Sequence, residues 1–145
     1  VKKLSRFTAT ALLSASLLIP ANALATDNQS TSDTVTPAST TVKILEVFSL
    51  TKDSSAESVY FYVNTPGTVV FNTTQNNKSY DSSVTYLIVR DEAAGWSTTW
   101  GGARFEGNGS FQFTSREPLP VGAYYVKVSS RQYGKTAITL TATTP

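Results

Sequence analysis

Gly122-Ala123-Tyr124-Tyr125-Val126-Lys127-Val128-Ser129 alternates side by side along the chain: Tyr124, Val126 and Val128 on one parity, Tyr125 and Lys127 on the other. A period of two is the mark of a strand with one buried face. The loop before it is bracketed by Pro118 and Pro120. After it, Gln132-Tyr133-Gly134-Lys135 turns the chain, and Thr136 to Ala142 runs on with Ile138, Leu140 and Ala142 facing inward.

The same grammar extends toward the N-terminus. Asn108-Gly109 is a hairpin signal, because a type I′ turn needs φ > 0 at both central residues. It is expected to join Ala103–Glu106 to Ser110–Thr114, with Phe105, Phe111 and Phe113 on one sheet face. Trp96 to Trp100 reads as a short strand ended by Gly101-Gly102, and Asp91 to Gly95 as a turn. Ser83 to Arg90 places Val84, Tyr86 and Ile88 on one face and Leu87 and Val89 on the other. Thr73 to Asp81 reads as a polar loop with Asn76-Asn77-Lys78 at its tip, preceded by a strand over Thr68–Asn72. In Asn64-Thr65-Pro66-Gly67, Pro presets φ and Gly supplies φ > 0 for a turn. Ser58 to Val63 is a β-branched and aromatic strand, Thr51 to Glu57 a polar break, and Val42 to Phe48 the first strand. No segment has a helical period of 3.6. About eight short strands at near-regular spacing predict an all-β domain over residues 42–145. It is a single antiparallel β-sandwich, jelly-roll-like.

Ahead of this domain stand two segments of different composition. Lys2, Lys3 and Arg6 precede an apolar run from Phe7 to Pro20, followed by Ala21-Asn22-Ala23 and Ala23-Leu24-Ala25. That order is a secretory signal peptide, expected over residues 1–25 with cleavage after Ala25 or Ala23. A membrane span needs roughly 20 apolar residues. This run is shorter and is interrupted by Thr8, Thr10, Ser14 and Ser16. Residues 26–41 are mostly Thr, Ser, Asp and Asn, and bury too little apolar surface to offset ordering, so a flexible leader is expected there.

Of the 12 Lys and Arg in the chain, three belong to the signal; the 9 that remain face 10 Asp and Glu, a formal charge of −1. No cation cluster remains of the kind that nucleic acid requires. The sequence has no Cys and no His. Disulfides, the usual zinc and copper ligands, and every nucleophile–base pair built on Cys or His are thereby excluded.

The order of strands, with Val59-Tyr60-Phe61-Tyr62-Val63, Gly67-Thr68-Val69, Tyr86-Leu87-Ile88-Val89-Arg90-Asp91, Leu119-Pro120-Val121-Gly122-Ala123-Tyr124-Tyr125-Val126-Lys127-Val128 and Ile138-Thr139-Leu140, resembles the bacterial pre-peptidase C-terminal domain. That resemblance spans about Ser58 to Thr143 and implies a small secreted β-sandwich of the type appended to proteases and collagenases. Some relatives bind calcium through acidic residues before the central strand; here Ser82-Ser83-Val84-Thr85 stands there, with Asp81 beside it. No cofactor is expected.

Trp96 and Trp100, four apart, would lie on one face of a flat strand about 13 Å apart. Exposed, they would stack on sugar rings or dock on a protein, with Tyr80 and Tyr86 extending the platform; buried, they would simply fill the core. Asp91 and Glu92 are the clearest carboxylate pair, with Asp81 as a third candidate for a metal or for glycoside hydrolysis. No calcium loop motif supports them, and a solvated turn explains them as well. The reading is a secreted, extracellular, non-catalytic binding module for a polysaccharide, cell-wall component or protein. A self-assembling structural protein, or a toxin or inhibitor, is the alternative. Neither nucleic acid nor stable membrane insertion is expected.

Overall fold

The computed structural model describes residues 38–92 and 95–145. The expected signal peptide and most of the expected leader lie outside them. Among the described residues nine strands form: β1 (Thr40–Leu50), β2 (Ser55–Glu57), β3 (Phe61–Val63), β4 (Val70–Asn77), β5 (Ser83–Asp91), β6 (Ser97–Glu106), β7 (Gly109–Thr114), β8 (Gly122–Ser130) and β9 (Thr136–Thr144). One sheet has the order β1-β9-β4-β7; the other has β2-β8-β5-β6, with β3 also paired to β8. All pairs are antiparallel. The chain changes sheet at every connection except β2–β3 and β5–β6. With β2 and β3 counted as one interrupted strand, this is an eight-strand jelly roll, as expected.

The core is what the alternation of β8 and β9 requires. Tyr124, Val126, Val128, Ile138, Leu140 and Ala142 are all buried. They meet Val84, Tyr86 and Ile88 of β5 and Phe71 of β4. Phe61 stacks on Tyr124 (5.8 Å) and meets Phe71 edge-on (5.5 Å). No disulfide is needed, because the two inner faces supply the burial themselves.

Four local expectations are corrected. First, β4 runs to Asn77, through the stretch read as a loop. Its inward residues after Phe71 are Thr73, Gln75 and Asn77, all buried, so a polar core hides the alternation. Second, β6 continues through Gly101-Gly102 to Glu106, with a bulge at Trp100 that lets Ile88 pair with Gly101 and Val89 with Thr99. Third, Asn108-Gly109 is a corner between the sheets, not a hairpin: β6 pairs β5 and β7 pairs β4. Positive φ falls on Gly107 and Gly109 rather than on Asn108. Phe105 and Phe111 stack at 4.6 Å across that corner instead of sharing one sheet face. Fourth, Gly67 has no positive φ. Glycine fits there because a Cβ would lie 2.6 Å from Cγ of Pro145, which would have to shift. The polar break also contains β2, β3 is only three residues long, and β1 begins at Thr40, inside the stretch read as leader.

Candidate binding surface

The four aromatic residues picked out from the sequence do not form one platform. Tyr86 is wholly buried. Its hydroxyl donates to Gln75 Oε1 (3.0 Å) and accepts from Thr73 (3.0 Å). Burial pushes its pKa up to about 12, against a smaller downward pull from the Thr73 hydroxyl. Trp100, on the bulge, packs edge-on to Tyr124 (6.4 Å) against the core, and its Nε1 is buried without a partner among the described residues. Tyr80 is exposed, but before the Ser83 end of β5; Trp96 is exposed beyond the Asp91 end. Those ends lie about 26 Å apart, for nine residues at ~3.3 Å rise per step. The even spacing of Trp96 and Trp100 was misleading because only Trp100 lies within the strand, at its bulge.

The same distance separates Asp81 from Asp91 and Glu92, so the three carboxylates do not converge. Asp91 accepts a hydrogen bond from the Tyr60 hydroxyl, and Glu92 lies 3.7 Å from Nε of Arg90. Among the described residues no three acidic side chains gather as a metal site would need.

Another set of aromatic residues does converge. β3 pairs with β8 as Phe61↔Tyr124 and Tyr62↔Ala123. Phe61 and Tyr124 are buried, so alternation sends Tyr62 outward, 64% exposed. Tyr60 is 49% exposed and meets Tyr125 edge-to-face at 5.6 Å. Its hydroxyl reaches Asp91, whose pairing with Ser97 places it at the mouth of the β5–β6 hairpin. Accepting that hydrogen bond, the Asp91 carboxylate raises the Tyr60 pKa and keeps the phenol protonated. Burial, with Asp91 and Glu57 nearby, raises that of Tyr125 as well. Arg90↔Tyr124 and Tyr62↔Ala123 set Asp91 beside Ala123, so Tyr62, Ala123, Asp91 and Ser97 form one outward row across β3, β8, β5 and β6. Three strand spacings make that row about 14 Å long. Trp96, 76% exposed, follows at its end, its carbonyl bonded by the Glu92 N–H (2.7 Å).

Beside Tyr60 and Tyr62 a cleft of about 440 Å³ opens between β3 and the paired ends of β1 and β9. Thr40, Val42, Asn64, Thr65, Thr144 and Pro145 contribute to it, and none of its lining side chains is charged. Its size falls within the range of small-molecule sites, ≈300–1,000 Å³. Aromatic faces beside hydroxyls and an amide, with no charged side chain, suit a neutral polyhydroxyl ligand: stacking on the rings, hydrogen bonds to Thr and Asn. A sequence signal for this site existed. In Tyr60-Phe61-Tyr62-Val63 the two tyrosines share a parity opposite to the core residues.

No protein-family model matches the sequence, and a search of curated proteins finds no match. Solved structures of similar fold include one described as "CBM4 structure and function" (TM-score 0.45, 9% identity, covering 65% of this chain and 73% of that one). A protein from Sulfurospirillum deleyianum is similar at TM-score 0.45 and 8% identity, covering 72% of this chain and 96% of that one. The Yersinia pseudotuberculosis-derived mitogen is similar at TM-score 0.38 and 13% identity, covering 74% and 85%. These likenesses are too distant to carry a site or a function from one chain to the other.

Proposed function

We propose that this protein is an exported, extracellular, non-catalytic module that binds an uncharged polysaccharide through Tyr60, Tyr62 and the cleft beside them. The observation that carries the reading is the pairing of exposed tyrosines with a cleft lined by uncharged side chains. A singly exposed ring is ordinary; two neighbouring exposed ones beside a concave surface mark a contact site. Export rests on the Lys2–Ala25 signal pattern. The likeness of the Leu119–Val128 block to the pre-peptidase C-terminal domain agrees with a role as an accessory module outside the cell. The lack of His and Cys favours binding over chemistry. No metal is invoked.

Affinity gel electrophoresis through a panel of neutral soluble polysaccharides tests this. At least one polymer is expected to retard the wild type, with Tyr62→Ala migrating freely and Trp100→Phe retarded like wild type. Retardation that survives Tyr60→Ala and Tyr62→Ala together would sink the cleft as the site. Because the ligand is neutral and no lining side chain is charged, retardation is expected to change little between low and high salt.

A further inference from the structure

The jelly roll has four sheet edges, and they are protected unequally. Unpaired edges invite pairing with another chain, and proteins blunt them with charge, bulges, shortness or cover. β1 carries Lys43 and Glu46, is bulged after Lys43 and after Val47, and has its Ile44 carbonyl capped by the Val59 N–H (2.9 Å). β6 carries Arg104 and Glu106 and the bulge at Trp100. β2 and β3 are three residues each. β7, Gly109-Ser110-Phe111-Gln112-Phe113-Thr114, has none of these devices: no charge, no proline and an unbroken register with β4.

The hydrogen-bond phase of β7 shows which groups are free. Ser115 N–H donates to Val69 O (3.1 Å), just beyond the Val70↔Thr114 pair. Bonded positions recur at every second residue of an antiparallel ladder. Phe113 and Phe111 therefore bond β4, and the N–H and C=O groups of Ser110, Gln112 and Thr114 point outward. All three residues are exposed, and no other strand covers them among the described residues.

We infer that β7 is a self-association edge, pairing antiparallel with β7 of a second copy about a two-fold axis at Gln112. In that register Gln112 faces Gln112, Ser110 faces Thr114 and Phe111 faces Phe113. Two-fold pairing sets every side chain against one from the same six residues, so a charged strand would meet like or unbalanced charge; this neutral one does not. The product is a continuous eight-stranded sheet, β1-β9-β4-β7 followed by its mirror order. β1, which borders the tyrosine cleft, lies at each outer end. Seven strand spacings put the two clefts about 34 Å apart, a bivalent arrangement.

Sedimentation velocity of the chain across a concentration series reads the association, independently of any ligand. A reversible monomer–dimer equilibrium is expected. Gln112→Pro removes an N–H that β4 does not use and is tolerated on an edge. It should weaken association roughly a hundredfold, two lost hydrogen bonds at about tenfold each. Gln112→Cys introduces a lone thiol into a cysteine-free chain. At a hydrogen-bonded antiparallel pair the Cα atoms lie about 5.5 Å apart, within disulfide reach. Mild oxidation should convert it to a covalent dimer far faster than Lys127→Cys. A chain that stays monomeric at every concentration, or a dimer unmoved by Gln112→Pro, overturns the inference. So does cross-linking of Gln112→Cys no faster than Lys127→Cys, should the proline variant fail to fold.

Discussion

β4 spans two kinds of protein interior. At its start, Phe71 is wholly buried, stacked on Phe113 (4.8 Å) and edge-on to Phe61. At its end, Gln75 and Asn77 are equally buried, but hydrogen bonds fix them. Gln75 Nε2 donates to the carbonyls of Phe105 (3.2 Å) and Gly107 (2.8 Å). Asn77 Nδ2 donates to Tyr133 O (2.8 Å), and Asn108 Oδ1 accepts from the Asn77 N–H (2.8 Å). The apolar end stabilises by area removed from water, without direction. The polar end contributes less net energy but ties down particular carbonyls, and these belong to the β6–β7 corner and the β8–β9 turn, where the chain changes sheet. The exposed tyrosine cleft sits over the apolar end, a rigid base for a surface whose own residues carry little of the stability.

Substitutions separate the two ends. Phe71→Ala should be the most damaging, about 3–5 kcal/mol by urea denaturation, through lost burial and a cavity. Gln75→Leu keeps the bulk but removes two hydrogen bonds to carbonyls and leaves the Tyr86 hydroxyl without its acceptor, an expected loss of about 1–3 kcal/mol. If the leucine were neutral, the polar end would be no more than packing.

Tyr86 extends the polar end and gives it a pH signature. Its folded-state pKa is raised from 10 to about 12, so the folded state holds its proton more tightly than the unfolded chain does. The associated stability is fully present below pH 10 and is lost as pH rises toward 12, by about 3 kcal/mol. Tyr60, Tyr124 and Tyr125 shift in the same direction, so the measurement is the difference from Tyr86→Phe, which should show a shallower alkaline decline. Smallest of all, Tyr62→Ala should change stability by no more than about 0.5 kcal/mol, because its side chain stands outside the core.

The contrast also explains what the sequence made legible. β8 and β9 were readable because inward residues such as Val126 and Leu140 are apolar and alternate with Lys127, Thr139 and Thr141, and β5 because it is a β-branched and aromatic run. The end of β4 was not, because polar side chains occupy its inward positions and the carbonyls that satisfy them come from residues 30 to 56 positions away. Asn108-Gly109 misled for the same reason: the Asn108 side chain is spent on Asn77 and on the Ser82 N–H (3.3 Å), which local turn chemistry does not reveal. In the candidate site, Trp96 is exposed as a platform would require. Tyr86 went to the core with its strand parity, and Trp100 followed a bulge that no spacing rule anticipates. Tyr60 and Tyr62 were read as strand residues, and their outward parity became visible only once Phe61 was fixed against Tyr124.

Calorimetric titration with a retained neutral polysaccharide tests the central claim by using the two ends as each other's control. Tyr60→Ala/Tyr62→Ala alters the exposed rings over the apolar end. Tyr80→Ala/Tyr133→Ala alters exposed rings at the polar end. The account predicts that the first pair abolishes the binding heat while the second leaves affinity within about twofold of wild type. Binding kept by the first pair and lost by the second would contradict it.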